Sequence, residues 1–147
     1  MTAVLSGKEI ARQLTEKFPE SIIESGQDYL VVKNESLLAV AAFLKDTPEL
    51  NFDYLNFITA VDYYHYFEVV YRLSSLEHNH SLVLKTHCAD RENPALPSVT
   101  GLWQGADFQE REIYDLMGIN FEGHPNMKRI LLWEEFSGHP LRKDFVR

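Results

Sequence analysis

Cysteine is nearly absent from this chain of 147 residues: there is one, Cys88. A lone thiol excludes an intrachain disulfide framework and argues against an iron–sulfur cluster held by this chain alone, since clusters take several thiolates. It fits a reducing compartment. Long apolar runs are also missing. Stretches such as Leu37–Leu44 fall far short of the ~20 residues of a membrane-spanning helix. Met1–Glu9 shows neither the charged start nor the apolar run of a signal peptide. Basic residues are scarce, 14 against 22 acidic, for a formal charge of −8. That balance argues against a surface for phosphate backbones. No P-loop, dinucleotide fingerprint or nucleophile elbow occurs.

What remains suits one soluble or peripheral domain. With 45% hydrophobic residues the chain can bury a core. Ser6 and Glu9 form a capping box, Ile10, Leu14 and Phe18 follow at four-residue spacing, and Pro19 ends that helix. Ile22-Ile23 and Tyr29–Val32 flank Gly26-Gln27-Asp28 as a hairpin. Asn34 is placed to cap a second helix with an apolar face of Leu37, Val40, Ala41 and Leu44. From about residue 52 the period becomes two. Phe67, Val69, Tyr71 and Leu73 alternate with Glu68, Val70 and Arg72, and Leu82 and Leu84 with Ser81, Val83 and Lys85. With Leu55–Asp62 these predict an antiparallel meander with one buried face. A loop with Pro94 and Pro97 leads to a third helix near Trp103–Met117, closed by Gly118. The expected class is α+β: an antiparallel sheet with helices packed on it over residues 1–120, then an extended, irregular C-terminal docking tail over residues 121–147.

The tail repeats a small plan. Gly123-His-Pro-Asn-Met-Lys-Arg129 and Gly138-His-Pro-Leu-Arg-Lys143 each carry a glycine, an extended His-Pro step and a basic pair. It also holds Ile130, Leu131, Leu132, Trp133, Phe136, Leu141 and Phe145. Side chains of this size gain ~1.5–3 kcal/mol each on burial, so they need a surface. That surface is either the chain's own body or another protein. The charge split favours another protein: residues 1–123 carry 9 basic and 19 acidic groups, and residues 124–147 carry 5 and 3. On this reading the arm is ordered on assembly, with Trp133, Phe136 and Phe145 as anchors.

Trp103, Ala106, Glu110, Ile113 and Met117 fall on one helical stripe. Glu110 lies within it, and a buried carboxylate needs a partner. Arg111 points about 100° away around the helix. Arg129 and Arg142 of the tail are the expected contacts, with Lys128 and Lys143 beside them, either for Glu110, Glu112 or Asp115 or for acids on a partner. Glu110 at a solvent edge is the equal alternative.

Two other chemistries compete with this reading. His78, His80, His87 and Cys88 cluster in sequence, and His78 and His80 would share a strand face, as two metal ligands require. But His78 sits at a turn, and His87 and Cys88 point apart. Glu112, Asp115, His124 and His139 could be drawn together as acid–base partners. A structural ion-pair network explains them more simply. No catalytic, cofactor-binding or metal-binding residue is therefore assigned.

The segment Glu110-Arg-Glu-Ile-Tyr-Asp-Leu-Met-Gly-Ile119, then Phe121-Glu-Gly-His-Pro125 and Lys128-Arg-Ile-Leu131, closely resembles the signature of the C-type subunit of NADH:quinone oxidoreductase, respiratory complex I. Gly138-His-Pro-Leu-Arg-Lys-Asp-Phe145 is similar to that family's closing motif. Leu55–Asp62, Phe67–Leu73 and Pro97–Trp103 also look like it. Phe108 stands where Trp is common, Met117 where an aromatic is common, Asn126 where Asp is frequent, and Val146 where Pro often follows.

The resemblance implies a non-catalytic subunit that binds no cofactor, within a complex using NADH, FMN, iron–sulfur clusters and a quinone. It implies partners lining the quinone cavity (D type) and bearing the terminal cluster (B type). It places the chain peripherally at the cytoplasmic face of the cell membrane, or the matrix or stromal side in an organelle. Related membrane-bound hydrogenases, F420H2 dehydrogenases and plastoquinone-linked complexes carry equivalent subunits. The positions expected to carry the family motif or meet partners are Glu110, Arg111, Glu112, Tyr114, Asp115 and Gly118 on the helix. In the first tail motif they are Gly123, His124, Pro125, Lys128, Arg129, Ile130 and Leu131. Trp133 and Phe136 follow, and Gly138, Pro140, Leu141, Arg142, Lys143, Asp144 and Phe145 close the set.

Overall fold

The computed structural model describes residues 3–4, by their backbone, and residues 6–146. Met1, Thr2, Leu5 and Arg147, which belong to the N-terminal stretch and to the tail, lie outside the described residues. Ser6 caps the first helix α1 (Gly7–Lys17), its hydroxyl accepting the Glu9 N–H at 3.4 Å. The Glu9 carboxylate turns to Arg12 one turn on. Before it, β1 (Ala3–Val4) is a short strand. The expected hairpin forms from β2 (Ile22–Ser25) and β3 (Tyr29–Val32), antiparallel. Asn34 does not cap the second helix. It opens a 3-10 turn (Asn34–Ser36), and its side chain accepts from Thr86 Oγ1 instead. Helix α2 (Leu37–Asp46) follows, with Leu37, Val40, Ala41 and Leu44 fully buried as the spacing predicts.

The two-residue alternation becomes β4 (Tyr54–Asp62), β5 (Phe67–Ser75) and β6 (His80–Cys88), an antiparallel meander. The whole sheet is mixed, in the order β2-β3-β6-β5-β4, with β1 also beside β6. Both β1 and β3 join β6 in parallel, so the sheet is not antiparallel throughout. The chain between β3 and β6 holds α2 and a complete hairpin, long enough for β6 to run the same way as β3.

Register explains where the core sits. Phe67, Val69, Tyr71 and Leu73 lie opposite Cys88, Thr86, Leu84 and Leu82, so one face of the sheet is filled. Residues of all three helices join that face in one cluster. Trp103 belongs to it without being helical: α3 (Ala106–Met117) starts three residues later, and the Trp103 indole donates to the Phe52 carbonyl at 3.0 Å. β7 (Ala95–Pro97) and β8 (Asn120–Glu122) pair in parallel. β8 spans the expected boundary at residue 120 and puts Phe121 into the core at 1% exposure. Gly123 begins the irregular tail. Among the described residues no helix is long and apolar enough to cross a membrane.

Candidate functional site: the seam between α3 and the tail

A helix ends with four carbonyls that lack intrahelical donors. Those of α3 all find partners, mostly in the tail. Gly118, left-handed at φ +76°, donates its N–H to Tyr114. His139 Nδ1 and Arg129 Nη1 donate to the Asp115 carbonyl at 3.0 and 3.2 Å. The Leu141 N–H reaches the Leu116 carbonyl at 2.9 Å, and Arg142 Nε reaches that of Met117 at 2.6 Å. Cationic groups here also suit the negative end of the helix dipole. Gly118 is required twice. A Cβ on it would stand 2.6 Å from the His139 ring and 2.8 Å from the Arg142 guanidinium.

Two buried carboxylates latch the tail's backbone. Asp115 Oδ2 accepts the N–H groups of Ile130, Leu131 and Leu132 at 3.1, 2.7 and 2.9 Å, while Oδ1 takes Arg129 at 2.7 Å. Burial alone would push this carboxyl up. The N–H groups of Leu132 and Leu131, with Arg129, outweigh it and hold the group below the usual range. Arg129 then spans the tail, donating to the carbonyls of Phe136 and Gly138 at 3.0 and 2.8 Å. At the end of β4, Asp62 binds Arg91 through both oxygens at 2.6 and 3.0 Å and accepts the Lys143 N–H at 2.9 Å. The Arg91 hydrogen bonds hold the Asp62 carboxyl well below the usual range against the opposing effect of burial. Tyr64, strained at φ +69°, gives its N–H to Asp62 and lies under the Lys143 ammonium. Arg91 and Arg142 both cover the Phe67 ring, and Arg91 approaches Asp144 at 3.4 Å.

Glu110 is fully buried, so the stripe reading holds and the solvent-edge alternative fails. Its partners are not the tail arginines. Ser98 Oγ and the Val99 N–H, in the loop before α3, donate to it at 2.6 and 2.9 Å. Burial raises its carboxyl in spite of those two bonds. Arg142 meets carbonyls, including that of Arg91 at 3.0 Å, instead of a carboxylate of α3. Arg111 reaches the Lys128 and Arg129 carbonyls, and Glu112 and Lys128 are exposed. His124 is enclosed, donating from Nε2 to the Asp107 carbonyl at 3.1 Å and accepting the Asn126 N–H at Nδ1. Gly123 and Pro125 turn at the surface, and Tyr114 stands beside His139. Gly138, at φ +96°, lets the Phe145 ring approach.

The outer side of the tail is apolar. Leu131, Trp133 and Leu141 are 61%, 65% and 59% exposed. Trp133 meets Phe136 edge-on at 5.1 Å, and with Pro140, Phe145 and Val146 they wall an open hollow of about 610 Å³. Ile130 is half-buried.

The histidines of the candidate metal cluster each turn to a neighbouring protein group. His78 and His80 share a face with rings 5.5 Å apart, but donate to the Pro48 and Leu50 carbonyls. His87 turns to Glu68. Among the described residues no group of three or more His, Cys, Asp or Glu gathers as a metal would need. Cys88 is buried with its thiol pushed up to about 11 by that burial. It does not fit the thiolate that an iron–sulfur cluster takes. Sequence reasoning misses Asp62, Arg91 and Ser98. Only the even parity of Asp62 with Ile58 along β4 marks it as inward-facing.

Comparison with known proteins shows the family. The family described as respiratory-chain NADH dehydrogenase, 30 Kd subunit, matches residues 30–147. The C-type subunit of NADH-quinone oxidoreductase from Roseiflexus sp. (strain RS-1) is 42% identical over 147 aligned residues, covering 95% of this chain and 84% of that protein. Its counterpart in Moorella thermoacetica is 44% identical over 138, covering 91% of each. A chain of the membrane-bound sulfane sulfur reductase, an archaeal respiratory membrane complex, superposes with a TM-score of 0.75 at 28% identity, over 95% of this chain and 85% of that one.

Proposed function

We propose a function from one premise: the chain belongs to the family of the respiratory-chain NADH dehydrogenase 30 kDa subunit. It is a subunit of a respiratory membrane complex, and other subunits of that complex are its partners. Its role is structural. It holds no active site and binds no cofactor, while the complex passes electrons from NADH through FMN and iron–sulfur clusters to a quinone as an NADH:quinone oxidoreductase and translocase. The tail is its docking arm toward the quinone-cavity (D-type) and terminal-cluster (B-type) subunits, at the cytoplasmic face of the membrane.

One observation carries this reading. The inner side of the tail is tied by Asp115 and Asp62, yet Leu131, Trp133 and Leu141 are left in water. Exposed large side chains on a held scaffold match the anchors that dominate protein interfaces. Mass spectrometry of what co-purifies from detergent-solubilised membranes tests it. D- and B-type partners are expected, and recovery without respiratory subunits would refute the reading. The likeness to the sulfane sulfur reductase chain supports a second reading, the equivalent subunit of a related membrane complex. The donor-module proteins recovered in the same experiment separate the two.

A further inference from the structure

β4 is an edge strand nine residues long, with no proline, no lysine and no charge before Asp62. Such an edge invites another strand unless it is covered. Gln109 of α3 covers part of it: its Oε1 accepts the Ile58 N–H at 2.6 Å, so that group points away from β5, where a neighbouring strand's carbonyl would otherwise meet it. In an antiparallel pair the outward groups recur every second residue, so the Ala60 N–H and carbonyl, two residues on from Ile58, turn outward as well. Beside this edge runs a cleft of about 130 Å³, floored by Ile113 and Leu116 and rimmed by the exposed Glu112 and by Leu141. On the other side of the strand, Phe57 and Val61 are 41% and 37% exposed.

We propose that the β4 edge receives an extended segment of a partner subunit, added as a further strand in the groove between β4 and α3. That segment displaces Gln109 and pairs with Ile58 and Ala60. Its alternate residues are small and apolar toward Ile113 and apolar over Phe57 and Val61, and a basic residue meets Glu112. Backbone pairing with side-chain pockets on both sides is how strand addition combines affinity with selectivity. The groove continues into the tail's apolar side through Leu141, so both surfaces belong to one footprint. The inference rests on the reading of the chain as a subunit of a larger complex.

Hydrogen exchange on the complex and on the isolated chain tests it residue by residue. The Ala60 amide is expected to exchange ~100-fold more slowly on assembly, the range over which local opening governs protection. If the chain is recovered in the complex and Ala60 stays unprotected, strand addition is refuted and the subunit reading stands. If no complex is recovered, the subunit reading itself has failed. Ala60→Pro removes only an outward N–H, which an edge strand tolerates. It should keep the fold and lose most of the co-purifying partner; normal assembly would overturn the proposal. Should Ala60→Pro unfold, Glu112→Lys at the exposed rim decides by the same readout. A dimer of the isolated chain that Ala60→Pro abolishes would replace the partner with a second copy.

Discussion

Leu14, Leu37 and Leu73 of the body are wholly buried, whereas Leu131, Trp133 and Leu141 of the tail are mostly in water. The body is held by apolar contact across one face of a sheet. The tail is held by polar bonds: two carboxylates, Arg111, Arg129 and Arg142, and the free carbonyls of α3. A segment fastened this way keeps its large side chains available, because its position does not depend on burying them. The difference also separates how the two regions should fail. Damage in the body unfolds the domain, and damage at a latch frees the tail.

Asp115→Ala should have the largest effect. It strands the Arg129 side chain, which is 9% exposed, together with three backbone N–H groups. Removing one partner of a buried pair costs ~3–5 kcal/mol. Urea unfolding should show that loss, and hydrogen exchange should show residues 129–132 released first. Equal loss of protection throughout the sheet would erase the distinction between regions.

Gly118→Ala comes next. A non-glycine residue in the left-handed region costs ~1–3 kcal/mol, and the new Cβ must displace His139 and Arg142. Faster exchange at residues 139–143 with an unchanged β5–β6 core is the expected pattern.

Acid should act on the tail before the body. Asp62 and Asp115 are held below the ordinary range, so their contribution is present above ~3.9, the unfolded value. It is lost as pH falls through their lower folded values. Glu110 is shifted the other way, so its contribution grows as pH falls. Exchange corrected for intrinsic rates should therefore show amides 130–132 and 143 opening at acid pH while β5 and β6 remain closed. Glu110→Gln should have the smallest effect, within about 1 kcal/mol, since the amide oxygen can accept the Val99 N–H while its NH2 donates to the Ser98 hydroxyl, reversing that bond. It should flatten the pH dependence; an unaltered slope would contradict a raised carboxyl at that position.

The body is readable because helix and strand periods print directly on side-chain order: α2's buried face and the β4–β6 meander are both in the spacing. The parallel joins of β1 and β3 to β6 are not, since period alone says nothing of strand direction. The helix stripe correctly buries Glu110. Its partners escape because Ser98 and Val99 lie in a loop whose path no periodicity encodes. The same holds for Asp62 and Lys143, which are 81 residues apart. Asp115 and Arg129 are candidates by charge type, and the fold supplies the pairing.

The tail, on this view, is anchored on one side and docks with the other. Substituting Leu131, Trp133 and Leu141 together with Ser in the full-length chain tests that most directly, scored by partner recovery from solubilised membranes alongside urea stability. Stability within ~1 kcal/mol of the parent is predicted, as for exposed positions, with loss of the co-purifying subunits. A stable triple variant that recovers its partners in full would contradict it.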